Sequence, residues 1–418
     1  MMEDHRKKVF VILGTLDTKG PETAFLRNCL HSLSAEVKVI DAGVLGPPAF
    51  APDVTREEVA ERAETTIEAL LCRKGDKVEA IEAMARGATS ILSDWVQKDH
   101  VAGVIAIGGG VGTWLGTAVM RALPLGLPKV MVSTVPFQDI RPVLGTKDIV
   151  LFPSVADILG LNPLLRSILQ RAAGALVGMA NLPALATDPR KVIGATSLGI
   201  TTPVVLASRA ILEESGFEMT CYHANGFGGR AFEEGIGTGM FSAVLDLTTH
   251  ELTNQLFGGV GVAGPDRLET AGKMGIPQVV APGALDVISR GPLETLRPSE
   301  RRRPHYRHSP FFTHVRTSAR QMRQVGQAMA GKLNRSRGPC AVAIPLRGFS
   351  DQNRPGGLFY DPVADGAFIF ALQKELDPRI RFVTVDAHIN DEGFAKQVCR
   401  LLEEMMETVT VVAQAVMA

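Results

Sequence analysis

The chain has 418 residues, of which 45% are hydrophobic and 21% are charged, and its 44 basic residues balance 44 acidic ones. This length predicts two or three domains, and the charge balance gives no overall field that would favour nucleic acid or a membrane surface. Five scattered cysteines without a C-x-x-C pair argue against a disulfide framework, and no apolar run reaches the ~18 residues of a membrane helix, so we predict a cytoplasmic protein.

The first half of the chain alternates apolar runs with helical stretches. Residues 9–13 predict a strand buried on both faces, followed by the loop GTLDTKG and a proline-led helix. A second strand is predicted at residues 36–40. The most apolar strand, at residues 101–107, ends in GGGVGT, and a short strand follows at residues 129–133. This alternation of strands and helices predicts a parallel α/β sheet.

The pattern restarts after a predicted boundary in residues 181–191. Residues 192–195 lead into TSLGITTP, so both halves begin with a strand, a threonine-containing turn and a proline-led helix. We therefore predict two α/β domains, residues 1–186 and 187–418. The arginine-rich stretch at residues 296–308 predicts a solvated loop rather than a nucleic-acid patch, and a helix is predicted at residues 313–334.

Polar residues gather where the predicted strands end. Ligands of open parallel sheets bind beyond the carboxyl ends of the strands. Hydroxyls, glycines, a few cations and several acids there suit a phosphorylated ligand, with or without Mg²⁺. GGGVGT is neither a Walker A loop nor a convincing G-x-G-x-x-G motif, and close packing of helix on strand is an alternative reading of it.

The stretch CYHANGFGGRAFEE, residues 221–234, is the strongest single candidate. A glycine-rich turn between a strand and a helix lets backbone N–H groups approach an anion. A plain turn is the alternative. His223 is a candidate general acid or base. For His250 with Asp246 and Glu251, we favour a capped helix start over acid–base machinery or a metal pair.

Five motifs occur in one order: GTLDTKG, CYHANGFGGRAFEE, DLTTHEL, AGPDRLETAGKMGIPQVVAPGALD and DPVADGAF. Together they resemble the family of the N-terminal ATP-binding half of the tomato mosaic virus resistance protein. The resemblance covers essentially the whole chain. It implies two Rossmann-like domains with mainly parallel sheets, a nucleotide site in the cleft between them and a homodimer or higher homo-oligomer. By analogy with the plant relative, a separate TIM-barrel-like protein is an expected partner.

The resemblance marks residues of three loops for cofactor binding. They are Gly14, Thr15, Asp17, Thr18 and Lys19; Gly108, Gly109, Gly110, Gly112 and Thr113; and Asn225, Gly226, Gly228, Gly229 and Arg230. The chain departs from the family pattern at Val111 and Trp114, at Phe137 and Gln138, and at Ser309 and His314. Because these departures surround the expected ligand site, ligand preference can differ in this chain.

The leading hypothesis is an ATP-binding protein that uses Mg²⁺. Lys19 or Arg230 would neutralise phosphate, and Asp17 or Glu233 would hold the metal. If the protein is an enzyme, phosphoryl or nucleotidyl transfer to a small metabolite is the expected class, with His223, Arg230 and Glu233 as catalytic candidates. A non-catalytic ATP-binding regulatory module is the first alternative. A metabolic enzyme acting on a sugar phosphate or acyl-CoA is the second.

Overall fold

The computed structural model describes residues 8–72, 77–135, 141–183 and 190–417. The chain divides into two compact units, residues 1–186 and 187–418. Phe137 and Gln138 lie outside the described residues, as does the segment in which one unit gives way to the next.

The first unit contains one parallel sheet and the helices that cover it. Its strands are β1 (Val9–Gly14), β2 (Val37–Asp41), β3 (Val101–Gly108), β4 (Lys129–Ser133) and β5 (Val150–Pro153). Its helices are α1 (Leu16–Ser32), α2 (Arg56–Arg62), α3 (Ile67–Cys72), α4 (Lys77–Gln97), α5 (Gly110–Ala122), α6 (Arg141–Leu144) and α7 (Pro163–Ala180). The strands pair in the order β2-β1-β3-β4-β5, and every described pairing is parallel.

Both faces of this sheet are buried, which explains why its strands read as continuous apolar runs. Val11 and Leu13 of β1 belong to the core beneath α2, α4 and α5. Phe10 and Ile12, which point the other way, belong to the core beneath α1 and α7. Alternate side chains of one strand thus pack into two different hydrophobic cores.

The strand order fixes where a ligand would bind. From β1 the chain steps outward to β2 and then returns to the other side of β1 to form β3. The connections after β1 and β3 therefore diverge and leave a crevice at the carboxyl ends of these two strands, which is the usual ligand position in folds of this order.

The second unit repeats this plan with an addition. Its main-sheet strands are β6 (Val192–Ser197), β7 (Glu218–His223), β8 (Ala243–Thr248), β9 (Gln278–Gly283), β13 (Cys340–Pro345) and β14 (Arg381–Val385). They pair in the order β14-β13-β9-β8-β6-β7, again in parallel. The second strand of this unit, β7, again lies outside the first, β6, and the third, β8, lies on the other side of β6. The first three strands of both sheets thus have the same spatial order.

Eight α-helices accompany these strands among the described residues of the second unit. They are α8 (Thr202–Glu214), α9 (Phe227–Gly237), α10 (Glu251–Phe257), α11 (Thr270–Met274), α12 (Pro298–Arg301), α13 (Ala319–Leu333), α14 (Pro362–Glu375) and α15 (Glu392–Met417).

A small antiparallel sheet follows β9 and was not predicted. It consists of β10 (Val287–Arg290), β11 (His305–Arg307) and β12 (Thr313–Arg316), paired in the order β10-β12-β11. The predicted solvated loop at residues 296–308 therefore contains a short helix and a strand. The helix predicted from about residue 313 begins at Ala319, where Ser318 caps it by accepting a hydrogen bond from the N–H of Gln321.

The predicted fold class, α/β with mainly parallel sheets, is confirmed. Across the part of the chain that the structure describes, no helix is both long and apolar enough to cross a membrane.

Candidate functional site

A cavity of about 490 Å³ lies in the first unit, where β1 and β3 end. We call it the β1/β3 pocket. Eight predicted residues line it together: Thr15, Asp17, Thr18, Lys19, Gly108, Gly109, Gly110 and Gly112. They come from two loops that are about 90 residues apart in the sequence, and the strand order joins them.

The GGGVGT loop places the start of α5 in this pocket. Gly109 is the N-cap residue of α5 and has no side chain with which to cap it. The N–H groups of Gly110, Val111 and Gly112 have no carbonyl one turn earlier to bind, so the positive end of the helix faces the pocket. A Cβ atom on Gly108 would lie 2.6 Å from the Cα of Gly112. Glycine at residue 108 therefore lets the helix begin directly against the strand end.

Thr113 and Gly14 support the loops rather than line the pocket. The hydroxyl oxygens of Thr113 and Ser133 are 2.7 Å apart, and both side chains are buried. A Cβ atom on Gly14 would lie 3.0 Å from the Oγ1 of Thr23 in α1. Both residues were predicted to bind the cofactor, and the structure gives each of them a packing contact.

The start of α1 is already occupied by an internal carboxylate. Asp41, at the end of β2, accepts hydrogen bonds at Oδ1 from the N–H groups of Leu16 and Gly43, each at 2.9 Å. Asp41 is fully buried, and burial raises the pKa of its carboxyl despite these hydrogen bonds. The GTLDTKG loop thus has a protein anion where the predicted phosphate would bind.

Two side chains of this loop also have partners within the protein. The ammonium of Lys19 donates to the carbonyl oxygen of Ile158. The hydroxyl oxygens of Thr15 and Thr18 lie 2.8 Å apart. Lys19 still lines the pocket and has further N–H donors for a ligand.

Asp17 is anchored at one oxygen only. Its Oδ2 accepts a hydrogen bond from the N–H of Leu45 at 2.7 Å, whereas its Oδ1 is shielded from solvent and has no partner among the described residues. A Cβ atom on Gly43 would lie 2.7 Å from the Cγ of Asp17, so the carboxylate packs directly on that glycine.

The rest of the pocket is apolar and was not predicted. Its lining consists of Ala42, Val44, Leu45, Leu70, Leu71, Ala80, Ile81, Met84 and Leu115, together with Gly43 and Val111. These residues come mainly from the segment after β2 and from α3, α4 and α5. An apolar wall beside a polar helix start is a common composition for a small-molecule site.

In the second unit, the predicted glycine turn is closed by a carboxylate of its own chain. Glu251 accepts at Oε1 from the N–H of Gly226 at 2.6 Å and from the N–H of Gly229 at 3.1 Å. The N–H of Gly228 donates to the Oδ1 of Asn225 at 3.2 Å. The donors that were predicted to bind phosphate here are therefore used inside the protein.

Arg267 neutralises this carboxylate and two others. Its guanidinium is fully buried, with Nε 2.7 Å from Oε2 of Glu251 and NH2 2.8 Å from Oδ1 of Asp246. Glu233 is 3.4 Å away. Burial opposes the charge of Arg267, but these three acids outweigh it and hold the pKa of Arg267 well above its usual value. The sequence signal was available: buried acids in the predicted strand ends require a cation, and AGPDRLET supplies one.

Glu233, predicted as a catalytic and metal-binding residue, has both oxygens engaged. Oε1 accepts from the N–H of Leu268 at 2.7 Å, and Oε2 accepts from the N–H of Thr270 at 3.1 Å. Burial raises the pKa of its carboxyl, although Arg267 opposes this. Its contacts are those of a structural residue. Asp17, the other predicted metal ligand, belongs to the first unit.

Three further histidine and arginine positions differ in their surroundings. His223 and Arg230 are both exposed, and the Nε of Arg230 donates to the carbonyl oxygen of Ala263 at 3.4 Å. His250 is buried, with Nδ1 3.1 Å from the carbonyl oxygen of Ala284 and Nε2 2.9 Å from the hydroxyl oxygen of Ser289. Burial lowers the pKa of His250 to about 4. This burial favours the neutral ring. The capped helix start that the sequence favoured is not observed, because α10 begins after His250 without a side-chain hydrogen bond to its first N–H groups.

Comparison with known proteins gives matches along nearly the whole chain. Residues 8–184 match the model of the N-terminal domain of an uncharacterised protein family, UPF0261, and residues 190–406 match its C-terminal domain. A UPF0261 protein of Clostridium tetani is 41% identical over 402 residues, covering 96% of this chain and 99% of its own length.

A plant relative matches over about half of its length. The ToMV susceptible protein tm-1(GCR26) of Solanum lycopersicum is 32% identical over 428 residues, covering 96% of this chain and 56% of the tomato protein. Among solved structures, a UDP-GlcNAc 2-epimerase from Neisseria meningitidis is 11% identical over 65% of this chain and 82% of its own, with a TM-score of 0.21. So low a score supports no argument. The two domain models and the bacterial relative show that the chain belongs to the UPF0261 family.

Proposed function

We propose that the chain binds ATP, or a closely related nucleoside phosphate, in the β1/β3 pocket of its first unit. One observation carries this proposal. Of the three glycine loops marked by the sequence, two already hold a protein carboxylate, Asp41 at the start of α1 and Glu251 at the start of α9. The third loop, at the start of α5, faces the pocket without a side-chain cap.

The two ends of the pocket suit the two ends of a nucleotide. N–H groups at a helix start bind phosphate through hydrogen bonds and the helix dipole. The hydroxyls of Thr15 and Thr18 and the ammonium of Lys19 add donors beside them. The apolar wall offers a surface for a nucleobase, and a volume of about 490 Å³ falls within the roughly 300–1,000 Å³ of small-molecule sites.

The metal and the reaction are further parts of the proposal. Within the described ranges, no three carboxylate, imidazole or thiolate groups are arranged to hold a metal ion. We therefore propose that Mg²⁺ enters on the phosphates of ATP, as it does in many sites that lack a dedicated protein cage. Phosphoryl or nucleotidyl transfer remains the proposed reaction class. The predicted homodimer, the TIM-barrel-like partner, the cytoplasmic location and the interdomain cleft stay predictions.

The test is a measurement of thermal stability against ATP, ADP, NAD, CoA and sugar phosphates, each with and without Mg²⁺. A ligand at ~100 times its dissociation constant adds about 2.7 kcal/mol of stability, which is a readily visible shift. The decisive variant is Gly109→Asp. Gly109 has an extended backbone, and a Cβ atom there would meet nothing closer than 3.6 Å, so aspartate can cap α5 itself.

The expected result is a shift with ATP that Gly109→Asp abolishes, although the variant is as stable as wild type without ligand. Gly109→Ala is the matched control, because it adds the Cβ atom without the carboxylate, and it should keep most of the shift. An ATP shift that Gly109→Asp leaves intact would place the nucleotide elsewhere in the chain. A shift with CoA or a sugar phosphate but not with ATP would favour the alternative function of a metabolic enzyme.

A further inference from the structure

A second cavity of the first unit lies along the contact between α4 and α5. It is a shallow groove of about 490 Å³, which we call the α4/α5 groove. Five of its lining residues come from α4 and three from α5, and none of them lines the β1/β3 pocket. Its volume falls within the roughly 300–1,000 Å³ of small-molecule sites, so the chemistry of its lining decides what it could bind.

The lining combines two small residues with one large aromatic residue. Ala85 of α4 and Ala118 of α5 both line the groove, and their methyl groups fill little of the space between the two helices. Trp114 also lines it and is 39% exposed, so part of the indole is open to a ligand. An accessible indole attracts another planar ring through stacked or edge-on contacts. The groove thus offers a surface for an aromatic ring.

The charged residues of the groove give it a net positive charge of one. Arg86 is exposed and has no ion pair among the described residues. Arg121 is half-buried, and its Nη1 donates to the carbonyl oxygens of Val143 at 2.6 Å and Pro142 at 3.2 Å rather than to a carboxylate. Burial without an acidic partner lowers the pKa of Arg121. Glu82 lines the same groove, is exposed, and forms an ion pair with neither arginine.

Two hydroxyl groups stand beside the guanidinium of Arg86. Thr89 and Ser90 follow it by three and four residues in α4, so all three side chains share one face of the helix. Both hydroxyls are half-buried, line the groove and have no hydrogen-bond partner within the part of the chain that the structure describes. A planar guanidinium binds a carboxylate through two parallel hydrogen bonds, and the hydroxyls can donate to the same oxygens.

We infer that the α4/α5 groove binds a small aromatic carboxylate, with its carboxylate on Arg86 and its ring on Trp114. One net positive charge suits a monoanion better than a phosphate dianion. The groups that make these contacts are open to solvent, so a ligand reaches them without rearrangement of the protein. Trp114 lies one turn beyond Val111, which lines the β1/β3 pocket, so the two sites are neighbours on α5. The inference does not depend on the proposed function.

The experiment uses benzoate as the probe and Trp114 as the reporter. In Trp95→Phe, Trp114 is the tryptophan that remains, and its emission is measured during titration with benzoate, benzamide and cyclohexanecarboxylate. Benzoate should give a saturable change. Benzamide lacks the charge and should bind roughly tenfold more weakly. Cyclohexanecarboxylate lacks the planar ring and should bind roughly three- to tenfold more weakly. Equal responses to all three compounds, or no saturable response to benzoate, would overturn the inference.

Arg86→Gln tests the cation and should weaken benzoate roughly tenfold without lowering the melting temperature, because Arg86 has no partner to lose. Arg302→Gln is the matched control, since Arg302 is also exposed and unpaired among the described residues but belongs to the second unit, and its affinity should match wild type. Glu82→Gln should tighten binding, because the groove loses a carboxylate that repels the ligand. Benzoate binding that Arg86→Gln leaves unchanged would rule the site out.

Gly109→Asp separates this site from the β1/β3 pocket. The variant blocks the start of α5, which lines that pocket, but leaves the α4/α5 groove intact. Benzoate should therefore bind to it as it binds to wild type. Loss of benzoate binding in this variant would place the ligand in the β1/β3 pocket and contradict the inference. A protein that binds benzoate but not ATP would refute the proposed function and leave the aromatic carboxylate site in place.

Discussion

The Nε of Arg267 donates to Oε2 of Glu251 at 2.7 Å, and both side chains are completely buried. On its other side, Glu251 holds the N–H groups of Gly226 and Gly229. A glycine turn that resembles a phosphate loop is thereby tied to the strand ends of its own sheet, through Asp246 and Glu233 as well. The conformation of the Gly226–Gly229 turn therefore depends on the guanidinium of Arg267, which lies 37 residues beyond Arg230 in the sequence.

Replacing Arg267 should destabilise the second unit severely. Arg267→Met keeps much of the side-chain volume but leaves three buried carboxylates without their cation, at a cost of about 3–5 kcal/mol. The midpoint of urea unfolding measures this loss. Arg347→Ala is the control, because the pair of Arg347 with Asp386 is exposed and its loss should leave the midpoint unchanged. A fall of the same size in both variants would show that the buried network has no special role.

Gly229 should tolerate no side chain. A Cβ atom at residue 229 would lie 2.0 Å from Oε2 of Glu251, so Gly229→Ala must displace the carboxylate and should cost about 1–3 kcal/mol. Gly174→Ala in α7 is the matched helical control. Residue 174 is exposed, with nothing within 4 Å of a Cβ atom, and alanine there should stabilise the protein by up to about 1 kcal/mol. Opposite shifts in melting temperature are expected. A neutral Gly229→Ala would mean that Glu251 does not hold the turn.

Stability should fall on acidification between pH 6.5 and 4. Burial lowers the pKa of His250 to about 4 and that of His314 to about 3, so in this range the unfolded chain binds protons that the folded chain does not. Each residue contributes a slope of up to about 1.4 kcal/mol per pH unit. Asp365 acts in the opposite direction, because burial raises its pKa to about 6 and the folded state then gains the proton first.

The histidine contribution can be isolated with His250→Gln, since glutamine keeps a donor and an acceptor for the neighbours of His250. The difference in unfolding free energy between pH 7.5 and pH 5.5 should be smaller in this variant than in wild type. The ring of His314 remains in the variant, so a residual slope is expected. If the unfolding free energy changes equally between the two pH values in the variant and in wild type, His250 is not buried as a neutral ring.

Nucleotide binding should alter the fluorescence of Trp114. The chain has two tryptophans, Trp95 and Trp114. Trp114 lies in the first turns of α5, two residues beyond Gly112, and is 39% exposed. A ligand at the start of α5 changes the charge beside this indole. Emission measured during titration with ATP should therefore respond in wild type and in Trp95→Phe, but not in Trp114→Phe. A response that persists in Trp114→Phe would locate the ligand away from α5.

The two main sheets could be predicted because a strand that is buried on both faces has a continuously apolar sequence. The runs that became β1 and β3 are continuously apolar. The small sheet gave no such signal, since β11 has three residues, His305–Arg307, and two of them are basic. Its neighbour β12 begins at Thr313, where the sequence predicted the start of a helix. Short polar strands are defined by their partners rather than by their own composition.

For a related reason, only part of the candidate site could be predicted from the sequence. Glycines and hydroxyls at strand ends marked both loops of the β1/β3 pocket. Two glycine loops, one of them in this pocket and the other in the second unit, are closed by carboxylates that were not assigned to them. Asp41 binds the N–H of Leu16 across 25 residues, and Glu251 binds that of Gly226 across another 25. Such pairings arise from strand order in three dimensions, which a linear motif does not record.

Every residue that lines the β1/β3 pocket lies between Thr15 and Leu115. Under the proposed function, the side chains that would select the nucleotide are therefore all encoded in the first half of the gene.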